Sequence, residues 1–111
     1  MGIQLTKDAD KLICLIYKDF LTRRKNGVSK GAARDFPEPS QLPAAFLSEL
    51  SVEDISETLL ELKKAGFVKV FIYGDFQLED SGIIYMEQRF PNGISQVLDW
   101  MGKVKSAIPF A

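Results

Sequence analysis

The chain has 111 residues, 46% apolar and 26% charged, with 11% aromatic residues. That is the composition of one ordinary globular domain over 1–111, and it excludes disordered, collagen-like and low-complexity readings. Fourteen Lys and Arg against fifteen Asp and Glu leave a net charge of −1, so the distribution of charge, not its total, must speak for or against a nucleic-acid partner.

The chain has no histidine. This removes histidine acid–base chemistry, Ser-His and Cys-His nucleophiles and histidine-ligated zinc together. The single cysteine, Cys14, sits in Leu12-Ile13-Cys14-Leu15-Ile16 without an adjacent base and reads as a buried small hydrophobe. The apolar runs are too short for a membrane span, and no charged start leads into a long apolar stretch with a cleavage site. The expectation is a cytoplasmic protein with no membrane partner.

Thr6 stands as an N-cap, with Asp8 and Asp10 in the first turn, where the helix dipole favours anions. Ala9, Leu12, Ile13, Ile16, Tyr17, Phe20 and Leu21 recur at helical spacing until Arg23-Arg24-Lys25 and Gly27. This predicts one long amphipathic helix over 8–25 with a wide apolar face. Ser29 to Phe36 reads as a short helix ended by Pro37 and Pro39, and Ser40 as the cap of another through Leu42, Ala45, Phe46 and Leu47.

Ser51 and Asp54 lie at capping-box spacing, and Leu50 and Ile55 at the two positions of a hydrophobic staple. Val52, Ile55, Leu59 and Leu62 form an apolar stripe that ends at Lys63-Lys64 and Gly66, which predicts a helix over 52–65. Phe67 to Tyr73 is β-branched and aromatic and reads as a strand, with Phe76-Gln77-Leu78 as its hairpin partner. By their residues alone, 81–89 fit a strand or a helix capped at Asp80 or Ser81. After the turn Pro91-Asn92-Gly93, a last amphipathic helix carries Ile94, Val97, Leu98, Met101 and Val104 and ends before Pro109. Trp100 is expected in the core.

The order of elements around residues 46–88 resembles a winged helix-turn-helix domain. Phe46 to Leu50 would end its second helix, and Ser51 to Val68 looks like the third helix and its exit through Gly66. Leu78-Glu79-Asp80-Ser81-Gly82 is similar to the Leu-Thr-x-x-Gly that follows the wing, with Glu79 in place of Thr, and Tyr85-Met86-Glu87 to the helix behind it. The size, the long first helix and the run into Ile108-Pro109 also resemble small winged-helix proteins of the YjcQ kind. The resemblance implies an α+β fold, winged-helix-like, with a helical core, a small antiparallel β-hairpin wing and a C-terminal helix. It tips 81–89 towards helix.

Function is less legible, because one fold hosts many functions. In DNA-binding winged helices the third helix enters the major groove. Here its outer face carries Glu53, Asp54, Glu57, Glu61 and only Lys64, and a duplex repels acids. Acids near a helix start suit the dipole, which covers Glu53 and Asp54 but not Glu61. Residues 1–34 carry eight cations against three acids, and residues 35–66 two against seven. Between residues 23 and 34 lie Arg23, Arg24, Lys25, Lys30 and Arg34 with no acid, and Asn26 and Ser29 as further phosphate-contacting groups.

These five cations are the candidate nucleic-acid contact. The favoured role is non-enzymatic, DNA-associated regulation with duplex DNA as partner. The alternative is a protein-interaction module, self-association included, without DNA affinity. No phosphate loop, metal-ligand spacing or nucleophile–base pair is legible, so no cofactor or metal is implied. Asp75, Glu79 and Asp80 read as turn acids rather than ligands.

Overall fold

The computed structural model describes residues 4–107, with side chains described through Gly102. Its first element, α1 (Lys7–Lys25), starts where the Thr6 side chain accepts a hydrogen bond from the Ala9 N–H. Six consecutive residues, Leu12 to Tyr17, are buried, so over about two turns the helix has no solvent face. A helix apolar all round belongs inside a domain. The other described α-helices accordingly pack against α1.

The short helix α2 (Lys30–Ala33) and the two-residue strand β1 (Asp35–Phe36) follow. The helix expected through Phe36 therefore stops early. Phe36 precedes Pro37, whose ring pushes the preceding residue into extended backbone, and there it pairs opposite Phe76. A 3-10 turn, Pro39–Gln41, stands where Ser40 was expected to cap a helix. The helix α3 (Ala44–Leu47) begins only after Pro43. Its neighbour α4 (Val52–Lys64) starts where the Ser51 hydroxyl accepts from the Asp54 N–H. Leu50 and Ile55 are both buried beside this cap, as a staple requires, and Gly66 takes a left-handed φ of 85° just past the helix end.

The strands β2 (Val68–Val70) and β3 (Phe76–Leu78) form the hairpin, and β1 adds on the far side of β3. The sheet is antiparallel throughout, in the order β1-β3-β2. The strand expected over 67–73 ends at Val70. Phe71 donates its N–H to Asp75 and accepts from Gly74, so Ile72 and Tyr73 form the turn rather than the ladder.

Residues 80–89 are helical, giving α5 (Asp80–Arg89), and α6 (Ile94–Ala107) closes the described chain. The α6 stripe buries Val97, while Trp100 is 39% exposed, with the Arg89 guanidinium 5.0 Å from its ring centre. It is not in the core as expected. The inward position is taken by Val97, and Trp100 instead covers a cation, which an indole face attracts. Val104 lies beyond the described side chains, and Ile108-Pro109 beyond the described residues.

The core draws on every layer. Leu12, Ile13, Ile16, Phe20, Phe46, Ile55, Leu59, Leu62 and Phe67 are buried together as expected, and Cys14 lies among them. Val52 departs from its predicted stripe and is 37% exposed. Thr58, on the opposite flank of the stripe, is buried instead. The architecture is α+β, six α-helices with a small three-stranded antiparallel sheet among the described residues. No described helix is long and apolar enough to cross a membrane.

Candidate nucleic-acid interface

Of the five candidate cations, Arg23, Arg24 and Lys25 end α1, Lys30 starts α2 and Arg34 is its C-cap. The turn after α1 forms because Asn26 closes the helix with its N–H on the Thr22 and Arg23 carbonyls, and Gly27 takes a left-handed φ of 89°. That conformation is open to glycine and strained for other residues. Ser29 then caps α2, accepting from the Ala32 N–H at 3.3 Å.

Arg23 points back into the fold. Its guanidinium donates to the Ala33 and Asp35 carbonyls, pairs with Asp19 at 2.8 Å and lies 4.4 Å from the Phe36 ring centre. It ties the end of α1 to the link between α2 and β1. Arg34 does the same for the sheet. Its Nε donates to the Leu78 carbonyl at 2.8 Å and its Nη2 meets Asp80 at 2.9 Å, with Glu79 at 3.9 Å. Both guanidiniums use their fork of donors on backbone and carboxylate, a role lysine fills poorly.

Arg24, Lys25 and Lys30 are exposed. Arg24 reaches the Val28 carbonyl at 3.1 Å, which steadies it at the corner without neutralising it. Among the described residues no carboxylate lies within ion-pair distance of any of the three. The structure thus brings three of the predicted cations to one exposed corner and engages the other two inside the fold.

The outer face of α4 is acidic, with Glu53, Asp54 and Glu57 exposed beside Leu60 and Lys64. Glu61, which the dipole left unexplained, has a structural partner. Its two carboxylate oxygens accept from the Thr6 N–H at 2.9 Å and the Thr6 hydroxyl at 2.7 Å. Asp10, read as a dipole residue, pairs through both carboxylate oxygens with Arg89 of α5.

The sequence reading missed the hairpin tip. Ile72 is 92% and Tyr73 85% exposed, with Phe71 beside them and Lys69 facing the Phe71 ring. Their β-propensity pointed to a strand. A two-residue Gly74-Asp75 turn would set Tyr73 opposite Phe76; the observed register sets Val70 there and Phe71 opposite Asp75, which leaves Ile72 and Tyr73 in the turn.

Among the described residues no group of three or more Cys, Asp and Glu side chains is placed to hold a metal ion. Glu79 and Asp80 face Arg34 instead. The Cys14 thiol is pushed up to about 12 by burial, with the Asp10 carboxylate adding to the rise, so it is a neutral packing group at ordinary pH. Comparisons with protein-family models, curated proteins and solved structures find no match to this chain.

Proposed function

We propose that the chain is a winged-helix-like, non-enzymatic domain for DNA-associated regulation, touching duplex phosphates through the corner between α1 and α2. On this reading α3 and α4 are the helix-turn-helix pair and the β2–β3 hairpin is the wing. The observation that carries it is the cluster of Arg24, Lys25 and Lys30, exposed and without a described carboxylate partner. Phosphate neutralisation dominates affinity for a duplex, and these are cations free to supply it. The acids of α4 argue against base reading, so the contact is positional and indifferent to sequence.

The test is a titration with generic duplex DNA across salt concentration. Three phosphate contacts give a slope of about −3 in log K against log salt. Binding that ignores salt, or none at low ionic strength, overturns the reading. A second reading, a protein-interaction module, is favoured by the exposed apolar tip of the hairpin.

A further inference from the structure

We propose that the outer face of the β2–β3 hairpin tip is a self-complementary contact that joins this chain, across a two-fold axis, to a second copy of itself. The inference deepens the protein-interaction reading by naming the partner, and it does not depend on DNA binding.

The register defines the face. Lys69 pairs opposite Gln77, and the hydrogen bond from Phe71 to Asp75 continues the same ladder by one step. Cross-strand partners share a face of the sheet. Lys69, Phe71, Asp75 and Gln77 therefore line the outer side, while Val68, Phe76 and Leu78 are buried on the other. At the end of this outer face stand Ile72 and Tyr73, almost fully exposed.

Two features select a second copy as the occupant. The first is charge. The two legs of the hairpin carry opposite signs on one face, Lys69 on β2 and Asp75 at the approach to β3, placed diagonally across the strands. A two-fold axis through Phe71 pairs each residue i with j and j with i, so each Lys69 meets the other copy's Asp75. Asp35 also lies on this face, at its far edge, and accepts a hydrogen bond from Gln77 at 2.7 Å.

The second is size. Covering Ile72, Tyr73 and the open part of Phe71 removes on the order of 400 Å² per copy from water. Doubled, that lies at the weak, transient end of specific interfaces. The contact is thus a concentration-dependent dimer rather than an obligate one, which fits a tip that the folded chain leaves bare.

Sedimentation equilibrium on the full chain, without nucleic acid, from micromolar to millimolar concentration, tests this. The mass should rise from the 12.4 kDa of one chain towards twice that value. Ile72→Ser combined with Tyr73→Ser should weaken association by about tenfold or more. At micromolar concentration, where the parent chain is monomeric, the thermal unfolding midpoint should stay unchanged, because both side chains are exposed. Lys69→Asp and Asp75→Lys should each weaken it, and the two together should restore it. A chain monomeric throughout overturns the proposal. So does a mass growing beyond two chains, a failed charge-swap rescue, or a monomer that floats with phosphatidylcholine vesicles, which would assign the tip to a lipid interface.

Discussion

The Glu61 carboxylate grips Thr6 twice, one oxygen on the backbone N–H and the other on the hydroxyl, across 55 residues of sequence. The same hydroxyl oxygen accepts from the Ala9 N–H. One acid near the end of α4 therefore holds the residue that caps α1. Charge-assisted bonds are stronger than neutral ones, but these are exposed, so Glu61→Ala should cost about 1 kcal/mol in a urea titration. Glu61→Gln, which keeps an acceptor, should cost less. A loss within experimental scatter for the alanine variant would mean that water replaces the grip without cost.

Gly82 stands where α5 passes the exit of α4. A Cβ built on it would lie 2.6 Å from the Phe67 carbonyl oxygen and 3.1 Å from the Leu78 side chain. The same carbonyl accepts the Glu79 N–H at 2.8 Å, and the Phe67 ring stacks on Tyr85 at 4.6 Å. The backbone cannot give way without loosening both. Gly82→Ala should raise helix propensity yet destabilise the fold by about 1–3 kcal/mol, since the overpacking outweighs the propensity gain. An unchanged or higher midpoint would show that α5 can slide outward freely.

Leu59 is buried in the centre of α4, whereas Val52, on the predicted stripe, is 37% exposed. Leu59→Ala should cost on the order of 2–5 kcal/mol by the transfer and cavity terms. Val52→Ala should stay within about 1 kcal/mol, because little apolar area returns to water. Equal losses in chemical denaturation would break the assignment of the helix face.

What could be read from the sequence was local. Thr6, Ser51 and Gly66 act within a few residues of themselves, and their caps and stops lie where the residue types put them. The nine expected core residues follow from periodicity, which needs no knowledge of the partner element. The roles of Arg23 and Arg34 were hidden, because the carbonyls they hold belong to Asp35 and Leu78 and are positioned only once β1 pairs with β3. The hairpin tip failed differently. Propensity describes Phe71, Ile72 and Tyr73 correctly as strand-forming side chains, but a strand also needs a partner, and the three residues of β3 are taken by Val68, Lys69 and Val70.

The Cys14 thiol, raised to about 12 by burial and by Asp10, gives stability a pH dependence. Below about pH 9 both folded and unfolded chains hold the thiol proton and the group contributes fully. Above it the unfolded chain releases that proton while the folded chain keeps it, so stability falls as pH rises from about 9 towards 12. Cys14→Ala should flatten this part of the profile, although its cavity lowers stability overall. Native-state reaction with a thiol reagent at pH 8 should be slow and should track unfolding. Fast modification of the folded chain would place the thiol within reach of solvent.

The two kinds of cation at the candidate interface should separate in one experiment. Arg23 and Arg34 hold backbone carbonyls and carboxylates, so Arg34→Ala should lower stability by about 1–3 kcal/mol through the unpaired acceptors it leaves. Below the unfolding transition its effect on the salt slope of duplex binding should be small. Lys25→Ala with Lys30→Ala should leave the unfolding free energy within about 0.5 kcal/mol of the parent, as exposed substitutions do. It should also reduce the magnitude of the salt slope by about 2, one unit for each phosphate no longer neutralised. Glu57→Gln, on the acidic face of α4, should leave binding unchanged or slightly stronger, since it removes repulsion without supplying a new cation. If Arg34→Ala flattens the salt dependence in a fully folded protein while the lysine pair does not, the duplex lies against the sheet edge and not against the corner.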